Sequence, residues 1–444
     1  MRLYPILFCA LLLAPATTRA NELLKVYELA RGNDTQLQAA AHARDAALQA
    51  RPQARAAFLP QVSAGYQETR SDDELTTLNG QPCDAFGNST CTFENESDGL
   101  QVTLNQALFD WRAIQTLRQS GDQVRLAQIN YRGAEQNLVL RTAEAYFNLL
   151  SAADDLRSAQ AENKAVERQL EQSQKRFEVG LSAITDIQEA QARYDLTVAQ
   201  VIEAEQALRS AGEALQEITG AALVNIVPLQ EDFPLPAPDP ADVNAWVGAA
   251  RDHNLSLQAA AFSASAARKG VEVARADHFP TVGAQAQYSD GSQGGRFAAE
   301  QKSESLTLQL NLPIFSGGAT QSRVNQARSL YEQREAEREG IRRQVERQAR
   351  DAYQGVISGA ARVKALKQAV LSNRTALEAS ETGLQVGTRT AVDVLNTQQQ
   401  LYLAERNYSR ARYDYLLSVL RLKAAAGRLG ESDLQQVDQL LVAG

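Results

Sequence analysis

Three histidines are all that this chain of 444 residues contains. His42, His253 and His278 stand far apart, and none falls in a metal-ligand spacing. No glycine-rich loop precedes a helix in the pattern that cradles phosphate. Gly291, Gly294 and Gly295 belong to a loop between strands. No nucleophile–base pair is visible, so no enzyme activity, no cofactor and no metal are expected. After residue 20 there is no run of eighteen apolar residues, which excludes a helical membrane protein. A net charge of −8 argues against nucleic acid as a partner. Cysteine is scarce, at three residues.

Residues 1–20 read as a secretory signal. Arg2 supplies the positive end, Leu3 to Ala14 the apolar stretch, and Thr18-Arg19-Ala20 a small-x-small cleavage site. The apolar stretch is too short to span a bilayer. Cys9 follows the bulky Phe8, which disfavours a lipid-anchored cysteine. Cleavage before Asn21 removes Arg2 and Arg19, and losing those two positive charges takes −8 to −10. Cys83 and Cys91 then remain. In an exported protein, eight positions apart in a polar stretch, they point to a local disulfide; two free thiols are the alternative.

What the chain does have is a duplication. Ala30-Arg31 and Leu37-Gln38-Ala39-Ala40 recur 220 positions on as Ala250-Arg251 and Leu257-Gln258-Ala259-Ala260. Val102 to Asn105 answer to Leu308 to Asn311, at 206. Val179-Gly180, Asp186 and Gly220 answer to Val386-Gly387, Asp393 and Gly427, at 207. The unit of about two hundred residues is too long for a solenoid repeat. The two copies are expected to build one symmetric object. The first repeat covers 21–220 and the second 241–427. Between them, 221–240 holds five of the twelve prolines and reads as an extended linker. The polar tail 428–444 is expected to pack outside the main body. Copy one is longer by the drop in offset from 220 to 206, in the stretch holding Cys83 and Cys91.

Each repeat reads as short helix, helix, strand, loop, strand, very long helix, turn, helix. Strict alternation marks strands at about 60–70, 99–108, 280–289 and 304–313. Their polar faces carry Gln, Thr and Asn rather than charge, which suits a wet lumen or a soluble sheet. Phe109, Trp111 and Phe315 suit an interfacial aromatic belt or plain helix–strand packing. The chain from Arg112 to Val179 has no proline, which allows one helix of roughly 100 Å. The long hairpins are expected at about 112–219 and 318–426. The return helices keep heptads: Ile187, Tyr194, Val201, Leu208 and Leu215 against Ala190, Thr197, Ala204, Ala211 and Ile218. A helix from about Asp34 to Phe58 has the length to cover the return helix, with Pro52 kinking or shortening it. Four strands close no barrel, and open edges do not stand in lipid. A membrane reading therefore forces oligomerisation. The fold class expected is mainly α with a membrane β-barrel, a trimer giving twelve strands continued by a twelve-helix tube. The rival is a secreted trimeric coiled-coil stalk without a transport role. It leaves the paired strands of each copy unexplained.

The hairpin turns read Val179-Gly180-Leu181-Ser182-Ala183-Ile184-Thr185-Asp186 and Val386-Gly387-Thr388-Arg389-Thr390-Ala391-Val392-Asp393-Val394-Leu395. Together with Pro313-Ile314-Phe315-Ser316-Gly317-Gly318, they resemble the TolC family of outer-membrane efflux proteins. The resemblance implies a homotrimeric channel-tunnel in the outer membrane of a Gram-negative bacterium, extending into the periplasm. It implies an exit duct for tripartite efflux or type I protein secretion. Tips holding Gly180, Leu181, Ser182, Thr185, Gly387 and Thr388 would dock a periplasmic adaptor and an inner-membrane transporter of ABC, RND or MFS type. With no nucleotide motif here, that partner supplies the energy. In the family, polar links and aspartate rings close the periplasmic aperture. Asp186 and Arg389 match the links, and Asp393 matches one ring. Two departures stand out: Asn396 replaces a second ring aspartate, and Leu384 replaces a linking tyrosine. Asp186 also suits the N-cap of the return helix, and Arg389 is expected within reach of Asp186 of the same chain.

Overall fold

The computed structural model describes residues 22–77, 86–88, 90–222, 227–230, 233–294 and 299–441. The secretory signal at 1–20 and Cys83 lie outside the described residues. The chain divides into two units. One gathers 41–130 and 256–341; the other gathers the rest.

The first unit is built on one antiparallel sheet in the order β1 (Gln61–Thr76), β2 (Thr90–Asp110), β3 (Thr281–Gln293) and β4 (Ala299–Asn311). Each repeat supplies a hairpin, and the duplicated pairs meet at β2 and β3. Gln61, Asn105, Gln285 and Thr307 stand abreast, as do Ser63, Thr103, Gln287 and Ser305. The next row, Val62, Leu104, Ala286 and Leu306, faces the other way, because side chains alternate along a strand. Nothing in the described chain covers that apolar face. Leu306, Leu308 and Leu310 are 81%, 71% and 69% exposed. A soluble sandwich would bury them under a second sheet, and no second sheet exists among the described residues. At the ends that the hairpin loops join, the strands run past their expected bounds, whereas β4 stops at Asn311, short of 313. Beyond the apolar rows the ladder continues through Glu68–Asp98 and Arg70–Glu96, where the apolar alternation that marks a strand in sequence has ended.

Just past the strands, Trp111 packs on Phe279 at 5.8 Å, whereas Phe315 is exposed. Asp277 accepts ion pairs from Arg112 (2.6 Å) and Arg323 (3.3 Å), which open the two long helices. Those helices are α4 (Trp111–Glu178, 68 residues) and α8 (Ala319–Gln385, 67 residues). At 1.5 Å per residue each spans about 100 Å. Neither contains a proline to break it. No described helix is long and apolar enough to cross a membrane.

The expected helix from Asp34 to Phe58 is two: α2 (Thr35–Leu48) and α3 (Ala50–Ala56). Pro52 has no N–H to give the Leu48 carbonyl, and its ring crowds that turn.

The second unit holds α1 (Glu22–Asn33), the return helices α5 (Ile184–Thr219) and α9 (Ala391–Ala425), α6 (Val243–His253), and the start of α7 (Leu255–Arg275). Leu138, Tyr146 and Phe147 of α4 meet Leu215 of α5 and Tyr415 and Leu420 of α9 in one core. On the heptad seam, Ala190, Thr197 and Leu215 are buried. Each repeat ties its leading helices to its long helix by an ion pair of opposite polarity. Arg141 clamps Asp34 through two bonds of 3.0 and 2.9 Å, and Arg251 holds Glu346 at 2.8 Å.

The tail does not pack outside the body. It forms α10 (Glu431–Asp438), and Leu434, Val437 and Leu441 enter the core. The Asp438 carboxylate accepts the Leu23 and Leu24 N–H groups at 2.8 and 2.9 Å, satisfying donors that the start of α1 leaves free. Two apolar residues in a short polar helix, with Leu441 three positions past its end, are too weak a period to show this in the sequence. The linker is strapped down as well. Arg412 donates to the Leu229 and Gln230 carbonyls, and the Tyr415 hydroxyl donates to Pro236 O at 2.6 Å.

Candidate functional site at the hairpin tips

The two tips repeat one design. Gly180 and Gly387 take φ of 74° and 79°, the left-handed conformation that ends a helix. The Leu181 N–H returns to Arg176 O at 2.8 Å, and Thr388 N–H returns to Gly383 O at 2.9 Å. Each helix then restarts on a capped turn.

At the first tip the N-cap is Ala183, and Asp186 is the third residue of α5. Its carboxylate accepts the Ser182 hydroxyl (2.5 Å) and the Ala183 N–H (3.3 Å). An acid at this position reaches back to the free cap donor, so Asp186 is not the cap itself. At the second tip, Thr390 and Asp393 cap each other. Asp393 accepts the Thr390 N–H and hydroxyl at 2.9 Å, and Thr390 Oγ1 accepts the Asp393 N–H at 3.2 Å. The Thr390 backbone and hydroxyl bonds hold the Asp393 carboxyl below its ordinary range, with a smaller pull from Arg389. Arg389 lies 3.9 Å from Asp393. Among the described residues no ion pair joins Arg389 to Asp186. Each tip satisfies its acid locally, which corrects the expected contact within one chain.

Two neighbours were not visible in the sequence. A Cβ at Gly383 would lie 2.6 Å from Arg389 Cγ, so the missing side chain makes room for the arginine stem. Arg193 of α5 donates to Asn396 Oδ1 of α9 at 3.2 Å, bridging the two hairpins. Leu384 is buried, whereas Leu181, Thr185, Gly387, Thr388 and Asn396 are exposed, and Ser182 half-buried.

Above the tips α4 and α9 are laced antiparallel. Arg406 lies 3.7 Å from Glu162, the Ser409 and Tyr413 hydroxyls donate to Asp154 at 2.5 and 2.7 Å, and Arg421 donates to Glu144 at 2.7 Å. Burial pushes the Glu162 carboxyl up, against the pull of Arg406 and Arg193. Its Oε2 has no hydrogen-bond donor. In the strand unit, Cys91 is disulfide-bonded.

A sheet with one uncovered apolar face, joined to long hairpins with polar, capped tips, defines a subunit of an outer-membrane channel. The chain belongs to the outer membrane efflux protein family, whose model matches residues 26–221 and 246–428. It is 36% identical to outer membrane protein TolC of Vibrio cholerae, over 94% of this chain and 93% of that one. It is 37% identical to TolC of Escherichia coli K12, over 96% and 86%. It is 34% identical to the alkaline protease secretion protein AprF of Pseudomonas aeruginosa, over 98% and 90%. Among solved structures its fold matches the Campylobacter jejuni CmeC outer membrane channel, with a TM-score of 0.76 at 18% identity, covering 95% of this chain and 89% of that one. It matches Vibrio cholerae VceC with a TM-score of 0.74 at 20% identity, covering 91% and 96%. The protein is an outer-membrane channel of the efflux and type I secretion class, and the stalk reading falls.

Proposed function

We propose that three copies close into a twelve-stranded barrel, continued through the helical hairpins as a twelve-helix periplasmic tube. The assembly is the exit duct for tripartite efflux or type I secretion. Its tips, with Gly180, Leu181, Ser182, Thr185, Gly387 and Thr388, dock a periplasmic adaptor and an inner-membrane transporter. Asp186, Arg389, Asp393 and Asn396 line the resting aperture, where Asp393 supplies one acidic ring per trimer. Cys83 is the partner of Cys91 in the outer loop.

The observation that carries this reading is the sheet order. β1 and β4 end the sheet with open edges, and unpaired backbone groups cost several kcal/mol each in lipid. Edge pairing between copies removes that cost. The test is expression in a Gram-negative strain lacking its own exit duct. Restored efflux of a toxic dye, with a purified particle of three chain masses, supports the reading. A monomeric particle, or wild-type expression without rescue beside a cognate adaptor and pump, contradicts it.

A further inference from the structure

The duplication of the sequence holds in space. Gln61 faces Asn105, and Thr281 and Asn311, 220 and 206 positions on, face each other likewise. Along α4 and α8 the offset is 207: Ala113 and Thr320 are both buried, and so are Leu138 and Val345. The two repeats join within the chain at β2 and β3. α4 follows β2, α7 runs toward β3, and side chains bond the two helices together. Gln119 donates to Ala266 O at 3.0 Å. Asp122, 3% exposed, accepts the Ser265 hydroxyl at 2.5 Å and pairs with Lys269 at 2.8 Å. The Arg125 guanidinium lies 5.8 Å from the Phe262 ring centre.

The open edges continue into the same elements of the opposite repeats. α2 and α3 lead to β1, and α8 follows β4. On α8 the counterparts of Gln119, Asp122 and Arg125 are Gln326, Ser329 and Glu332. On α2 the counterparts of Phe262, Ser265 and Ala266 are His42, Asp45 and Ala46. All six are exposed. The glutamine is kept. The serine and the aspartate have changed places. Arginine and phenylalanine have become glutamate and histidine, a pair able to share a hydrogen bond. Arg44 holds Asp45 at 2.7 Å, the part that Lys269 plays at Asp122. Among the described residues no hydroxyl donates to Asp45. A face meant only for water has no need for both halves of a buried link at the two positions that the duplication assigns to them.

We propose that α8 of one chain seats on α2 of the next chain in the register of the α4–α7 seam. Gln326 donates to Ala46 O of the neighbouring chain, the Ser329 hydroxyl donates to its Asp45, and Glu332 stands opposite its His42. The surface is continuous with the sheet edges, since β4 and β1 lie directly above these helices in the order of the chain. The inference rests on the ring of three chains proposed above and names the side chains that close it below the barrel. The hydroxyl–carboxylate bond at its centre is charge-assisted, which favours one register over its neighbours.

The test uses the full chain in detergent. The Asp45→Cys/Ser329→Cys double variant is treated with a short bismaleimide and run under denaturing conditions. It should give covalent species of two and three chain masses, which neither single variant gives. Cys91 is disulfide-bonded, which leaves the reagent to the engineered pair. Asp45→Cys/Gln344→Cys moves one thiol about 22 Å along α8 and should give no such ladder. Ser329→Asp sets a carboxylate against Asp45 of the neighbouring chain and should lower the temperature at which the oligomer dissociates. Adding Asp45→Ser restores the order seen at Asp122 and Ser265 and should recover that loss. An oligomer of three chain masses without a ladder from the 45/329 pair, or with an equal ladder from the 45/344 pair, overturns the seam and leaves the ring standing. A loss in Ser329→Asp that Asp45→Ser does not recover also overturns it. A particle of one chain mass contradicts the ring and the seam together.

Discussion

Arg193 of α5 donates from Nη2 to Asn396 Oδ1 of α9 at 3.2 Å, a bond between the two duplicated hairpins of one chain. It sits one turn above Asp393, where the family pattern places a second aspartate. In the proposed aperture, an amide at this position carries one charge fewer than an aspartate and still leaves an acceptor for the arginine.

Arg193→Ala should therefore raise the resting single-channel conductance without altering the oligomer. Asn396→Asp should lower it, and should strengthen block by a trivalent cation, because a charged pair replaces a neutral acceptor and an acidic ring is added. Planar-bilayer recordings of both variants decide. Identical traces for wild type and Arg193→Ala remove this bond from the gate.

Gly383 and Arg389 form a second testable pair. Gly383→Ala places a methyl 2.6 Å from Arg389 Cγ, so the arginine must move. Both Gly383→Ala and Arg389→Ser should increase antibiotic leakage, and combining them should add little. Asp393→Ala differs in kind. It removes the proposed acidic ring and the Asp393 half of the α9 capping box together, so cation block should fall and amide exchange at Thr390 should quicken. Additive leakage in the Gly383→Ala/Arg389→Ser double variant argues that glycine and arginine act separately.

Asp34 is a pH-sensitive strut. Burial alone would raise its carboxyl. The two Arg141 bonds and the Leu37 N–H, at 2.6 Å, outweigh that and hold it below the ordinary value. A depressed carboxyl stabilises above its unfolded value, and the contribution is lost as pH falls through the folded one. Asp34→Ala should cost about 3 kcal/mol at neutral pH, since it strands a partly buried arginine. The deficit against wild type in denaturant melts should shrink toward acid pH. A deficit constant from neutral to strongly acid pH contradicts the assignment.

Glu162 has the opposite sign. Its carboxyl is raised by burial, although Arg406 from α9 and Arg193 from α5 face it and Tyr402 lies nearby. Its contribution is present below the ordinary glutamate value and is lost as pH rises through the raised one. Glu162→Gln should gain stability relative to wild type as pH rises through that window. Parallel melting curves for the two proteins across it exclude the effect.

The sequence made the frame legible because its signals were long. A proline-free stretch gave α4, and strict alternation located the four strands. Strand ends were missed because pairing continues through Arg70 and Glu96 after the apolar period stops. The tip glycines and Asp393 were readable from the turn pattern. Arg193 and Gly383 were not. Arg193 reads as one more solvated charge on a heptad face until α9 lies beside it, and Gly383 as an ordinary helix glycine until Arg389 folds back across it. Asp438 was hidden for the same reason, since its partners at Leu23 and Leu24 lie at the far end of the chain.

The central claim is that copies of this chain enclose one aqueous path, gated at the tips. Single-channel recording of the purified oligomer in a planar bilayer tests it directly. The account predicts discrete steps of one small unit size, cation-preferring, blocked by a trivalent cation from the tip side and enlarged by Arg193→Ala or Arg389→Ser. A correctly inserted oligomer that conducts nothing, or whose conductance ignores every tip substitution, would contradict it.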